Sequence, residues 1–140
     1  MEKSGFFNSS GGDRIYNATD FASYFGRLVS NGIFYDTTAN LQASGVAGMV
    51  VTIQPGASWI NGYCYENTAP LELTVPTASG INPRIDRVVV RWSAVERLIR
   101  LAIIIGTASA SPVAPSLTRN NDVCLCLRMP QRSVCRFPQN

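Results

Sequence analysis

The chain has 140 residues, of which 46% are hydrophobic and 15% charged, against a charged share of roughly 25% in ordinary soluble proteins. One domain with a sizeable core is expected, under a surface that is Ser/Thr/Asn-rich or covered by partners. The net charge of +3 resides in Arg128, Arg132 and Arg136. The first 127 residues carry nine Lys/Arg and nine Asp/Glu, a balance that leaves no electrostatic footprint for nucleic acid or an anionic membrane.

The first ten residues lack the apolar stretch of a signal peptide, so synthesis in a cytoplasm without signal-directed secretion is expected. Two large apolar side chains, Phe6 and Phe7, nonetheless stand almost at the N-terminus, where chains usually fray. A Ser/Gly turn follows them. Phe21, Tyr24, Phe25, Leu28 and Val29 then fall on one helical face, predicting an amphipathic helix over about 18–31. Asn17 or Thr19 is placed to cap it, Asp20 suits the positive end of its dipole, and Asn31-Gly32 offers a left-handed stop. Gly26 is a poor interior helix residue, unless it lets another backbone come close.

From Leu41 onward the pattern is β. Met49, Val51 and Ile53 alternate with Val50, Thr52 and Gln54, and Pro55-Gly56 turns the chain. In "ASWINGYCYEN", Asn61-Gly62 lies between aromatic-rich runs, a strong hairpin signal. A two-residue turn there pairs Ile60 with Tyr63 and Trp59 with Cys64, and puts Trp59 on the face opposite Ile60 and Tyr63. Leu71, Leu73 and Val75 form another alternating strand, ended by Pro76. "RIDRVVVRWS" and "RLIRLAIIIGT" read as a hairpin around Ala94-Val95, with Ile99, Leu101, Ile103 and Ile105 as a core face. Arg87, Arg91, Arg97 and Arg100 read as strand arginines whose stems cover apolar surface. Pro112 and Pro115 keep the Ser-rich connection after Gly106 out of helix and central strand, and a last strand begins near Val123. The expected class is mainly β: an antiparallel β-sandwich or half-barrel with one N-terminal amphipathic helix.

The catalytic inventory is thin. There is no His, which removes the commonest general base and both Ser-His-Asp and Cys-His arrangements. Asp20, Asp36, Glu66 and Asp86 share no short motif, so a hydrolase would need a carboxylate pair assembled by the fold. No glycine pattern makes a phosphate loop. Cys64, Cys124, Cys126 and Cys135 lack the partners of a zinc site and read as inert thiols in a reducing compartment. No catalytic residue, cofactor or metal is expected. Trp59, Tyr63, Tyr65 and Trp92 read as core or interface aromatics, with sugar stacking by Trp59 and Tyr63 as the alternative.

The opening "MEKSGFFNSSGGDRIYNATDFASYFGRLVSNGIF" resembles the N-terminal attachment domain of baseplate or tail-fibre proteins of phages and prophages of Gram-positive bacteria. "GASWINGYCYENTAPLELTV", "RIDRVVVRWSAVERLIRLAIIIGT" and "SPVAPSLTRNNDV" follow the same family in the same order, so the resemblance spans 1–123. It implies a non-enzymatic virion component that anchors a fibre to the tail tip through other baseplate subunits, as a homo-oligomer with a trimer favoured. Neither nucleic acid nor membrane is an implied partner, and any contact with a host glycan is indirect. On this reading Phe6, Phe7 and Tyr16 are docking groups whose burial a neighbouring subunit completes, each Phe contributing roughly 1.5–3 kcal/mol. The alternative is that both phenylalanines fold back onto the chain's own sheet. A different class of function, a carbohydrate-binding module on the host wall, would use Trp59 and Tyr63. Residues 124–140, "CLCLRMPQRSVCRFPQN", depart from the family. Three of the four cysteines and the three unbalanced arginines fall there, as a shifted reading frame or truncated gene would produce.

Overall fold

A computed structural model describes residues 2, 4–35, 39–46, 49–77, 81–118 and 121–124. The expected Cys/Arg tail therefore lies outside the described residues from 125 onward, as does Asp36. The fold is mainly β with one helix. In chain order come α1 (Ala18–Leu28), β1 (Gly32–Ile33), β2 (Ala43–Val46), β3 (Val50–Ile53), β4 (Gly56–Ile60), β5 (Tyr63–Asn67), β6 (Leu71–Thr74), β7 (Arg87–Ser93), β8 (Leu98–Ile104) and β9 (Asp122–Cys124).

The strands form three antiparallel three-stranded sheets, ordered β1-β4-β5, β2-β3-β6 and β8-β7-β9. All three turn an apolar row onto one core. Ile60 comes from the first sheet, Ala43, Val51 and Ile53 from the second, and Val88, Val90 and Leu101 from the third, with Leu41 between. Period-two alternation produces this: Val51 and Ile53 are buried while Val50 and Thr52 are only partly so. Leu101 is buried and flanked by the partly buried Ile99 and Ile103, but Ile105 lies past the end of β8 and is half exposed.

Local turn chemistry sets the registers. Asn61 and Gly62 both take positive φ, 53° and 81°, the pattern of a two-residue type I′ turn. Ile60 pairs with Tyr63 and Trp59 with Cys64, as the turn requires. In the β7–β8 hairpin Ser93 pairs with Leu98, leaving four residues in the turn. Arg97 sits in that turn with φ 53° rather than on a strand.

The helix begins where the sequence places it. Asn17 accepts from the N–H groups of Thr19 and Asp20, and Asp20 accepts from the Asn17 N–H at 3.0 Å, a complete capping box. It ends three residues earlier than expected, and not through a left-handed stop: Val29 is extended, at φ −126° and ψ 124°. Asn31 has another use. Its Oδ1 accepts from the Asn61 N–H at 2.8 Å, tying the chain after α1 to the tip of the β4–β5 hairpin.

Candidate docking surface

The N-terminal arm doubles back on itself. Asp13 Oδ1 accepts from the Ser10 N–H at 2.7 Å, closing a turn in which Gly11 and Gly12 take positive φ. The turn brings Phe7 alongside Tyr16, whose hydroxyl accepts from the Phe7 N–H at 3.0 Å. Phe6 is thereby delivered to α1. Its ring centroid lies 5.2 Å from Tyr16, 5.2 Å from Phe21 and 4.8 Å from Tyr24. Phe6 itself has φ 63°, a conformation that costs a non-glycine residue on the order of 1 kcal/mol or more. Packing among the aromatic rings offsets that cost. Phe7 lies beneath the Arg14 guanidinium at 5.4 Å.

The three residues read from the sequence as docking groups are thus brought together, with Phe6 packed against the helix and not against a sheet. The two phenylalanines remain open to solvent: Phe6 is 42% and Phe7 59% exposed. The apolar face of α1 shares this openness. Phe21, Tyr24, Phe25 and Leu28 are 39–63% exposed, and Ala22 is the one buried residue of the helix. The aromatic stripe of this amphipathic helix is therefore not what the body of the domain covers. The helix instead rests on the β4–β5 turn through two small residues, Ala22 and Gly26. A Cβ at Gly62 would collide with the Ala22 carbonyl oxygen, and one at Gly26 would meet the Gly62 nitrogen at 3.5 Å. The small pair at i, i+4 was the sequence signal for this contact.

Between arm and helix runs a cleft of about 580 Å³, walled by Phe6, Tyr16 and Tyr24 and also lined by Glu2, Asp20 and Arg27. Asp20 is committed to the helix cap. Among the described residues no cluster of Cys, Asp and Glu is arranged to hold a metal ion.

Trp59 and Tyr63 do not share a platform. Trp59 meets Phe25 edge-on at 5.7 Å and Phe34 at 5.9 Å, on the helix side of the hairpin, with its Nε1 buried. Tyr63 stacks on Trp92 at 6.0 Å on the other side.

The arginines of the third sheet are mostly paired. Arg91 donates to Asp122 at 2.7 Å and Arg100 meets Glu96 at 3.3 Å. Arg91 and Arg100 lie directly opposite each other in the β7–β8 register, so each acidic partner offsets a like-charge contact.

Two neighbouring groups on β5 contribute a loss of stability at alkaline pH. Burial pushes the Cys64 thiol above its ordinary value of 9.0, with Glu66 adding to the effect, and burial pushes the Tyr65 phenol above 10.0. Both hold their protons more tightly folded than unfolded. Stability from these groups is therefore complete through neutral pH and declines as pH climbs past about 9. Thermal melts across the alkaline range will show a falling midpoint; a midpoint that rises there contradicts the assignment. The same shift keeps Cys64 a neutral, weakly nucleophilic thiol at pH 7.

No known family, curated protein or solved structure matches the chain. No helix among the described residues is long and apolar enough to cross a membrane.

Proposed function

We propose that the chain is a phage structural protein, the N-terminal attachment domain of a baseplate or tail-fibre protein, and that it acts by assembly rather than catalysis. It belongs in the virion tail, against other baseplate subunits and further copies of itself, with a trimer favoured. The observation that carries this reading is the exposed aromatic cluster of Phe6, Phe21, Tyr24 and Phe25, with Phe7 and Leu28 exposed on the same arm and helix. An apolar surface of this kind, rimmed by polar residues, is characteristic of protein contacts. It is also built at a cost: the arm is ordered and Phe6 is held at positive φ to present it. The four sequence stretches that resemble the attachment domain supply the class of partner.

Mass spectrometry of purified phage-like particles induced from the source strain tests the reading. Stoichiometric peptides from this chain support it; their absence from particles, with the protein free in the cytosol, overturns it. Phe6→Ser combined with Phe7→Ser tests the surface itself. Because both side chains are substantially exposed, the isolated domain is expected to stay folded while incorporation into particles is lost. Unchanged incorporation, or global unfolding, removes the docking role.

A further inference from the structure

The third sheet ends on one side in β8, which pairs with β7 and with no other strand among the described residues. Edge strands normally carry a Pro, a bulge, several charges or very short length to prevent pairing with another chain. β8 has seven residues, no Pro, and Arg100 as its one charge, which is already engaged by Glu96. The other edge of this sheet, β9, has three residues.

The direction of the free backbone groups follows from the observed bonds. The Trp92 N–H donates to the Asn121 carbonyl at 2.8 Å, on the β9 side of β7. Backbone groups alternate along a strand. Ser93, Arg91, Val89 and Arg87 therefore bond toward β8, to Leu98, Arg100, Ala102 and Ile104 in the observed register. The N–H and C=O groups of Ile99, Leu101 and Ile103 point outward from the sheet edge.

A second β8 running antiparallel about a twofold axis at Leu101 satisfies these groups. Ile99 then faces Ile103 of the second copy and Leu101 faces Leu101 of the second copy, all three pairs exchanging backbone hydrogen bonds. On the other face, Leu98 meets Ile104 and Arg100 meets Ala102, whose small side chain leaves room for the guanidinium. Apolar side chains oppose apolar ones at every pair except Arg100 with Ala102. Shifting the axis to Arg100 would set the two arginines directly opposite each other. The strand is thus self-complementary in one register that uses its whole length.

From this we infer that β8 is a dyad interface, at which two copies of the chain join their third sheets into one continuous six-stranded sheet. The contact is isologous and closed. It goes beyond the attachment surface, which lies on the helix and the N-terminal arm.

Sedimentation equilibrium of the full chain over a wide concentration range is the test, with Ala102→Lys and Ala102→Glu as variants. Ala102→Lys sets a cation opposite Arg100 twice per dyad, and is expected to weaken dimerisation by roughly tenfold or more. Ala102→Glu sets an anion there and is expected to tighten it, with the difference between the variants shrinking at high salt. Thermal melts check folding, and if the Lys variant does not fold, the wild type and the Glu variant decide. A wild type that is monomeric at every concentration overturns the dyad. So does an oligomer that responds to neither variant, including a trimer, which would leave the attachment reading standing. Absence from phage particles, with β8 dimers intact, would overturn that reading alone.

Discussion

Gly62→Ala is expected to destabilise the fold by about 3 kcal/mol or more. Two costs add. Gly62 has φ +81°, and an L side chain in that region costs roughly 1–2 kcal/mol. The new Cβ would also fall on the Ala22 carbonyl oxygen, with the Ala22 Cα 2.7 Å away. Neither backbone can yield cheaply, because one belongs to α1 and the other to a two-residue turn. The helix must lift off the hairpin, exposing Ala22 and separating Phe25 from Trp59. Gly26→Ala is the matched control on the facing element. Its Cβ would meet the hairpin at 3.5 Å, an ordinary contact, and alanine gains about 1 kcal/mol of helix propensity. Urea denaturation followed by tryptophan fluorescence measures both. Equal effects at the two positions would mean that the helix does not rest on the turn in the manner described.

Asp122→Ala is expected to cost about 2–3 kcal/mol. The Asp122 side chain is 1% exposed. Its carboxylate accepts from Arg91 Nε at 2.7 Å, from Arg91 Nη2 at 3.3 Å and from the Thr118 N–H at 3.1 Å. One residue therefore fixes both the register of β9 on β7 and the end of the Pro/Ser-rich connection. The expected cost lies below the usual 3–5 kcal/mol for breaking a buried pair, because Arg91 is 39% exposed and recovers water when its partner is removed. Asp122→Asn keeps an acceptor for Thr118 and should lose roughly half as much. A cycle with Arg91→Met separates the pair from the Thr118 bond. If the Asp122→Ala penalty persists unchanged in the Arg91→Met background, the ion pair contributes nothing.

Features governed by neighbouring residues were legible in the sequence. The Asn61-Gly62 turn specifies its own hairpin register, because few residues tolerate two successive positive φ values. The start of the helix reads from four residues: Asn17 or Thr19 could cap it and Asp20 suited its dipole, and the structure uses Asn17 with Asp20 as a capping box. Alternation of apolar residues located β3 and β8, since a strand with one buried face leaves no other way to satisfy the pattern, whereas β7 showed as a continuous run of three valines that is buried on both faces.

The site was legible only in outline. Phe6, Phe7 and Tyr16 stood out as apolar groups without a core, but nothing local says that a Ser/Gly turn will return Phe6 to α1. The amphipathic face of the helix was visible, yet a hydrophobic pattern names the apolar side of a helix without naming what covers it. Here Ala22 and Gly26 take the contact with the body, and the aromatic stripe is left open. Trp59 and Tyr63, four residues apart in one hairpin motif, were correctly placed on opposite faces by the turn, but their partners Phe25, Phe34 and Trp92 come from three other segments.

Composition, turn residues and side-chain periodicity thus settled the class of fold, the start of the helix and the pairing inside each hairpin, because those depend on backbone preferences over a few residues. Which surfaces stay exposed, where α1 stops, how Arg91 finds Asp122 and which strand is left at an edge depend on contacts between segments far apart in the chain. Those contacts are selected by packing against a common core, and they exist only once three sheets have assembled around it.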